Sequence, residues 1–249
     1  MDLGLTGRVA LVLAASKGLG RATATALAAE GADVAIGARD AATLEATAVA
    51  IRAQTGRRVL AVPVDVTNAE QSRAIVDTTL REFGRLDVLV NNCGGPPFGA
   101  FDDFDDAAWQ RAFELSLLST VRMTRLALPH LPRDGHGRVI NIVSYSVETF
   151  VPGSMLSTAL RSGVVGMTRL LADELGPHGI TVNNVAPGVI LTDRVRQIGG
   201  EHLADTVPMR RMGRPDEFAS VVAFLASDRA SYVSGATIPV DGGASRAIG

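Results

Sequence analysis

The chain has 249 residues, and its 24 basic and 26 acidic side chains give a net charge of −2 and a pI near 6.1. This balance leaves no broad basic surface, so neither nucleic acid nor an anionic membrane is an expected partner. No apolar stretch reaches the roughly 18 residues that a membrane span needs, and the N-terminal residues do not read as a signal peptide. Cys93 is the single cysteine and cannot form an internal disulfide, which suits a cytoplasmic protein.

The composition favours a layered fold with an aliphatic core. Hydrophobic residues make up 47% of the chain but aromatic residues only 4%, and there are 26 glycines. Such a mixture suits short buried strands that are joined by tight turns. No linker, low-complexity tract or repeat interrupts the chain, so residues 1–249 are predicted to form one domain.

Strand-like and helix-like segments alternate along the whole chain. The predicted strands are residues 8–13, 34–37, 59–64, 86–90, 138–143, 180–186 and 236–240. The predicted helices are residues 21–30, 41–54, 68–83, 105–131, 156–175 and 215–226, the second and third capped by Asp40 and Asn68. This alternation predicts an α/β fold, a Rossmann-type doubly wound sheet of seven parallel strands with helices on both faces. Ligands of such sheets bind beyond the carboxyl ends of the strands.

The first strand-to-helix turn, residues 13–20, is a candidate site for a dinucleotide. Gly18 and Gly20 would let a pyrophosphate approach the backbone at the N-terminus of the first helix. The alternative is a turn that only packs the helix against the strand, because two glycines alone are a weak signal.

Two cations flank the position expected for the adenosine ribose. Arg39 follows the second strand, where binders of the unphosphorylated dinucleotide usually place an acidic residue, and Lys17 lies in the first turn. An arginine at this point suits a 2′-phosphate, so the pair favours NADP(H) over NAD(H). Each residue taken alone would more often be a solvated surface side chain.

These features, in this order, resemble the short-chain dehydrogenase/reductase (SDR) family, of the type that includes 3-oxoacyl-carrier-protein reductases, over essentially the whole chain. The family's glycine motif matches residues 14–20, its adenine-contacting aspartate matches Asp65, and its Asn-Asn-Ala-Gly matches residues 91–94. Its C-terminal signature matches residues 232–243, which include Tyr232. With Arg39, the residues thereby expected at the cofactor are Ala14, Ser16, Lys17, Gly18, Leu19, Gly20, Asp65, Val66, Asn91, Cys93, Gly94, Arg161, Pro187, Gly188 and Thr192.

Ala14 departs from the family pattern, which has glycine at this position. An alanine costs about 1–2 kcal/mol if the backbone there needs a positive φ. If φ is negative, the methyl group only crowds the pocket. Either outcome weakens the expected affinity for the cofactor.

The larger departures fall at the residues that the resemblance assigns to catalysis. The family's serine is present as Ser144, but its tyrosine position is Ser157, its lysine position is Arg161 and its asparagine position is Ser116. An aliphatic hydroxyl is a far weaker acid than a phenol, and arginine cannot relay a proton. Losing a positioned general acid costs about 10²–10⁴-fold in rate. Tyr145 is the nearest phenol, and strand alternation predicts that it points away from the face used by Ser144.

Three functions remain open at this point. The first is an NADP(H)-linked reductase or dehydrogenase of a small carbonyl or alcohol, with Ser144 at the oxygen, Arg161 at the ribose, and Ser157 or a water beside it passing the proton. The second is a scaffold that binds NADP(H) or a metabolite without redox chemistry. The third is an SDR-derived lyase similar to halohydrin dehalogenases, which carry arginine at the lysine position but retain the tyrosine.

Two further expectations concern the shape of the protein. The irregular segment 189–214 is expected to close over the substrate as a lid. Small residues on the helix 156–175, together with the resemblance, imply a homodimer or homotetramer.

Overall fold

The computed structural model describes residues 1–197 and 200–246. The described residues form a seven-stranded sheet in the order β3-β2-β1-β4-β5-β6-β7, in which all neighbours run parallel. The strands are β1 (Val9–Leu13), β2 (Asp33–Ala38), β3 (Val59–Pro63), β4 (Val88–Asn91), β5 (Arg138–Ile142), β6 (Thr181–Pro187) and β7 (Thr237–Val240). The predicted Rossmann-type sheet is confirmed, with strand ends within two residues of the predicted ones.

Helices connect the strands and cover both faces of the sheet. They are α1 (Gly18–Ala29), α2 (Ala41–Thr55), α3 (Ala69–Phe83), α4 (Asp106–Phe113), α5 (Ser119–Ala127), α6 (Met155–Leu175), α7 (Asp193–Gln197) and α8 (Pro215–Ala226). The two predicted caps are present, since Asp40 accepts the N–H of Thr43 at 2.7 Å and Asn68 accepts that of Gln71 at 3.0 Å.

Alternation along the strands divides the core into two layers. In β1, Ala10 and Val12 pack under α1, α2 and α8, whereas Leu11 and Leu13 pack under α3, α5 and α6. Both faces of the strands are therefore buried, which explains why their sequences are continuous apolar runs rather than alternating ones.

The stretch predicted as helical over residues 105–131 is helical from residue 106 to residue 130, but not all of it is α-helix. A π-helical turn, Glu114–Leu118, separates α4 from α5, and a 3₁₀ turn, Leu128–His130, follows α5. The hydroxyls of Ser119 and Thr120 bond to the carbonyls four residues earlier, at 2.5 and 3.4 Å, and such bonds bend helices. Residues 105–127 contain no proline or glycine, so the sequence carries no visible signal for the π-helical turn.

The segment 189–214 leaves the sheet after β6 and returns before α8. Its two ends are held together, because Leu191 donates its N–H to the carbonyl of Gly213 and Gly213 donates to that of Val189, at 2.8 and 3.0 Å. Between them lie α7 and a 3₁₀ turn, Gly200–Thr206, while residues 198 and 199 of the predicted lid lie outside the described residues. Among the residues described, no helix combines the length and the apolarity needed to cross a bilayer.

Candidate functional site: a nucleotide cradle and a modified reaction centre

The turn between β1 and α1 packs tightly against itself and needs glycine at two positions. A Cβ atom on Gly20 would lie 2.3 Å from the carbonyl oxygen of Ala14, so only glycine fits there. Gly18 has a φ of +58°, and Thr192 from the segment after β6 lies against it, with its Cγ2 3.7 Å from where a Cβ would stand. Lys17, which precedes α1, makes no side-chain cap, so the first N–H groups of this helix are left for an anion.

Ala14 has a positive φ, the strained one of the two conformations considered for it from the sequence. Its φ is +48°, and among the described residues Arg210 is the only other non-glycine with a positive φ. Such a backbone costs an L-residue about 1–2 kcal/mol. The backbone of this turn is therefore strained at Ala14.

Three further residues predicted at the cofactor, Ser16, Leu19 and Val66, contact other parts of the protein. The carbonyl of Ser16 accepts the hydroxyl of Thr47 at 2.8 Å, and that of Val66 accepts the guanidinium of Arg122 at 2.9 Å. Leu19 packs against the core beneath α1 and α2, whereas Gly94 is exposed.

The carboxyl ends of β2 and β3 present charges at the place predicted for the adenosine ribose. Asp65 accepts the N–H and the hydroxyl of Thr67, at 3.0 and 2.7 Å, and these bonds, with the charge of Arg39 nearby, lower the pKa of Asp65. Arg39 and Lys17 are both exposed, and neither forms an ion pair with any described residue. Arg39 lies near Asp65 and Lys17 near Asp40, so a phosphate at this end would meet two cations that are close to carboxylates but form no ion pair with them.

A row of polar side chains, three of them buried amides, runs across β4, β5, β6 and β7. Asn91, Asn141, Asn184 and Thr237 are in register on neighbouring strands and bond side chain to side chain, at 2.9, 3.2 and 3.0 Å. Asn91 also donates to Thr124 of α5 at 3.0 Å. The side chain of Asn91, predicted at the cofactor, therefore faces the interior, and only its backbone is left to line the cleft.

Gly188 directly follows β6 and lies beside the end of β7. Its N–H donates to the carbonyl of Val240 at 3.0 Å, and a Cβ on it would lie 2.5 Å from the Cβ of Asp241. The residue pair Pro187-Gly188 is thus placed at the carboxyl edge of the sheet, on the same side as Ser144, which follows β5.

Ser144 and Ser157 lie on neighbouring elements, because α6 packs against the 3₁₀ turn that Ser144 caps. Ser144 has an extended backbone (φ −152°, ψ 146°) and caps a 3₁₀ turn, Tyr145–Val147. Ser157 is the third residue of α6, one helical turn before Arg161, and is half-buried. The family's serine, Ser144, is thus carried by the loop after β5, and Ser157, which stands at the family's tyrosine position, by the start of α6.

Tyr145 is not placed by strand alternation, as the sequence argument assumed, because β5 already ends at Ile142. After β5 the chain forms a 3₁₀ turn that begins at Tyr145. Burial, and secondly the negative charge of Asp241, raise the pKa of the Tyr145 phenol, and the same two causes raise the pKa of Glu148. Tyr145 is therefore a weaker acid than a free tyrosine, not an activated one.

The side chain of Arg161 is buried and bonds to the backbone of neighbouring strand ends. Its side chain is only 6% exposed, and one terminal nitrogen donates to the carbonyls of both Ile142 and Val143 at 2.7 Å. The other terminal nitrogen lies 3.8 Å from the sulfur of Cys93 at the end of β4. Arginine at the lysine position thus clamps α6 to the ends of two strands, a role that the sequence comparison did not predict.

Ser116 lies in the π-helical turn against which α6 packs. It is 2% exposed, and its hydroxyl has no hydrogen-bond partner in the described part of the chain, which is also true of Nε of Arg161. A Cβ on Gly163 of α6 would lie 3.1 Å from Leu117 of this turn, so the two helices are in close contact here. Buried polar atoms without protein partners commonly hold an ordered water.

Ser146 is a site residue that the sequence reasoning missed. Its N–H and its hydroxyl both bond to Oγ of Ser144, at 3.2 and 3.0 Å. The signal was present, because a serine two residues before a second polar residue often forms such a turn. Its importance depended on knowing that β5 ends before Ser144.

Together, the parallel sheet, the glycine turn and the polar groups at the carboxyl ends define a dinucleotide-binding α/β protein with a reaction centre beside the nucleotide cradle. A family model described as enoyl-(acyl carrier protein) reductase matches residues 13–245. The 3-oxoacyl-[acyl-carrier-protein] reductase of Synechocystis sp. is 38% identical, over 96% of this chain and 97% of the relative. Dehydrogenase/reductase SDR family member 4 of Caenorhabditis elegans is 37% identical, over 95% of each chain.

Solved structures agree with this assignment over the full length. L-sorbose reductase from Gluconobacter frateurii, complexed with NADPH and L-sorbose, has a TM-score of 0.92 at 31% identity and covers 100% of both chains. YwfH, an NADPH-dependent reductase involved in bacilysin biosynthesis, has a TM-score of 0.92 at 29% identity, over 97% of this chain and 99% of that one. The chain belongs to the short-chain dehydrogenase/reductase family of oxidoreductases, which confirms the resemblance seen in the sequence.

Proposed function

We propose that the protein is an NADP(H)-dependent oxidoreductase that transfers hydride between the cofactor and a small carbonyl or alcohol, in the manner of a 3-oxoacyl reductase. The similarity to a 3-oxoacyl reductase and to two NADPH-linked reductases supports this proposal. The altered positions Ser116, Ser157 and Arg161 make the activity slow or atypical for the family.

The preference for NADP(H) is carried by Arg39 and Lys17. Both cations are exposed at the edge of the cradle and free of ion pairs in the part of the chain that is described, as a 2′-phosphate requires. The uncapped N-terminus of α1 and the two glycines of the turn fit a pyrophosphate. The residues present therefore fit the cofactor, with strain at Ala14 as the one unfavourable feature.

When bound, the cofactor supplies the hydride, and the protein supplies placement and proton delivery. Ser144 donates a hydrogen bond to the carbonyl oxygen of the substrate. Ser157, or a water molecule beside it, passes the proton to that oxygen, at a rate limited by the weak acidity of an aliphatic hydroxyl. Arg161 keeps a positive charge beside the nicotinamide ribose, and Ser116 holds a water nearby.

The proposal extends to assembly and location. On α6, Ala159, Gly163 and Gly166 form an exposed small-residue face next to Leu170, which is 74% exposed, and this face suits a homodimer or homotetramer. The segment 189–214 is proposed to cover the substrate. The single cysteine and the likeness to bacterial reductases support a cytoplasmic location.

Calorimetric titration with NADPH and NADH tests the cofactor assignment. We expect NADPH to bind more tightly than NADH, and Arg39→Gln to weaken NADPH binding by about tenfold, the worth of one charge-assisted hydrogen bond, while leaving NADH unchanged. Arg81→Gln on α3 is the control, because Arg81 is also exposed and lies in the last turn of that helix, away from the strand end that carries Arg39.

The outcomes separate the possible functions. Failure of both nucleotides to bind at millimolar concentration would remove the redox assignment. Tight NADPH binding without oxidation of NADPH by a panel of ketones and 3-oxo esters would identify a non-redox binding protein instead.

A further inference from the structure

The hydroxyl of Ser144 is held by its neighbour Ser146. Ser144 follows β5 in an extended conformation, and the chain then turns so that Ser146 folds back over it. The backbone N–H of Ser146 lies 3.2 Å from Oγ of Ser144, and Oγ of Ser146 lies 3.0 Å from the same atom. Two groups of one residue therefore converge on one oxygen.

The direction of these two bonds follows from what each group can do. The N–H of Ser146 can only donate, and a hydroxyl offers one donor and two acceptor lone pairs. Ser146 is only 3% exposed, and among the described residues its hydroxyl has no other acceptor than Ser144. If Ser144 donated to it, the proton of Ser146 would be buried without an acceptor, at a cost that proteins avoid. Ser146 therefore donates twice, and both lone pairs of Ser144 are occupied.

We propose that Ser146 is a positioning residue that fixes Ser144 as a hydrogen-bond donor aimed into the substrate cleft. With its lone pairs occupied, Ser144 can only donate, and because its hydroxyl is half-buried, an acceptor can approach it from the side that Ser146 does not occupy. The inference rests on the proposed function, in which Ser144 binds the carbonyl oxygen of the substrate.

This orientation matters more here than in a site that has a phenol. Negative charge develops on the carbonyl oxygen as hydride arrives at carbon, and a donor already aimed at that oxygen stabilises the charge without reorganisation. Ser157 cannot contribute the acidity of a tyrosine. Ser144 is therefore the main protein group that stabilises this charge.

The backbone that leads to Ser144 is fixed from the other side. Arg161 donates to the carbonyls of Ile142 and Val143, the two residues immediately before Ser144, at 2.7 Å each. Ser144 thus lies between a clamped strand end and a residue that saturates its oxygen. Both constraints act on position and direction, which are the quantities that a preorganised donor needs.

Steady-state kinetics of NADPH oxidation with ethyl acetoacetate as the probe test the effect on the reaction. We expect Ser146→Ala to lower kcat by about three- to tenfold, the equivalent of one neutral hydrogen bond, with the Kd for NADPH unchanged. Ser146→Thr, which keeps a hydroxyl at the same position, should recover most of the loss. Thr79→Val is the control, since it removes a buried hydroxyl from α3 that bonds only within that helix.

A neutron structure of the wild-type protein after deuterium exchange tests the geometry without any turnover. The proposal requires deuterium on Oγ of Ser146 pointing to Oγ of Ser144, and deuterium on Ser144 pointing into the cleft. A proton on Ser144 that points to Ser146, or an unchanged kcat in Ser146→Ala, would overturn it. A wild-type protein that oxidises no NADPH would contradict the proposed function instead, and the neutron result would still decide the orientation.

Discussion

The two halves of the site differ in how far they have moved from the family pattern. At the cofactor half, between β1 and β3, the glycine turn, Asp65 and the two cations form a cradle in which one residue, Ala14, departs. At the reaction half, between β5 and α6, three of four expected side chains are changed, and Arg161 has taken on bonds to the strand ends. Binding a nucleotide and delivering a proton are therefore separable requirements, and this chain has kept the groups for the first better than those for the second.

Restoring the phenol gives the largest expected change. If proton delivery limits the reaction, Ser157→Tyr combined with Arg161→Lys should raise kcat by about 10²-fold, within the range that a positioned general acid contributes. The measurement is NADPH oxidation with ethyl acetoacetate, compared with the wild type at saturating cofactor.

The matched control for this gain is Ser157→Phe with Arg161→Lys, which adds the ring without the hydroxyl. An equal increase in both double variants would show that filling the cleft, not acidity, is responsible. No increase in either would indicate that the two halves are mismatched in more than the proton donor.

Replacing Arg161 alone should have a smaller effect, and on stability rather than on chemistry. A lysine nitrogen cannot hold the carbonyls of Ile142 and Val143 while also reaching Cys93, so Arg161→Lys should lower the free energy of unfolding by about 1.5–3 kcal/mol. Chemical denaturation measures this change. Arg169→Lys on the same helix, at an exposed position, should leave it unaltered.

An unchanged denaturation midpoint in Arg161→Lys would mean that the clamp contributes nothing to folding. The arginine would then be read as a ribose contact alone, as the resemblance first suggested.

The sequence predicted the fold and the motif positions more fully than it predicted the contacts. The strands were visible because both of their faces are buried, and the cradle because glycine spacing reports backbone geometry directly. The π-helical turn within the helix 105–131 was not visible, because no glycine or proline marks it. The clamp of Arg161 was not visible, because it depends on carbonyls that are placed only after the strands have paired. The end of β5 lies one residue before its predicted position, so the alternation does not reach Tyr145 and the direction of its side chain stays a prediction.

The smallest expected effect belongs to the cofactor half. Ala14→Gly removes a methyl group and a strained φ of +48° at the turn where a pyrophosphate would approach. Relief of about 1–2 kcal/mol of strain is partly offset by the greater freedom of glycine in the unfolded chain, about 0.5–1 kcal/mol, so stability should rise only slightly. The affinity for NADPH, measured by calorimetry, should rise several-fold because the cradle becomes less crowded.

Arg210→Gly separates these two consequences, because Arg210 is strained in the same way, with a φ of +54°, but lies outside the turn. It should match the stability change of Ala14→Gly without its gain in affinity. If Ala14→Gly leaves the Kd for NADPH unchanged, the alanine does not crowd the cradle, and the whole departure from the family pattern lies in the reaction half.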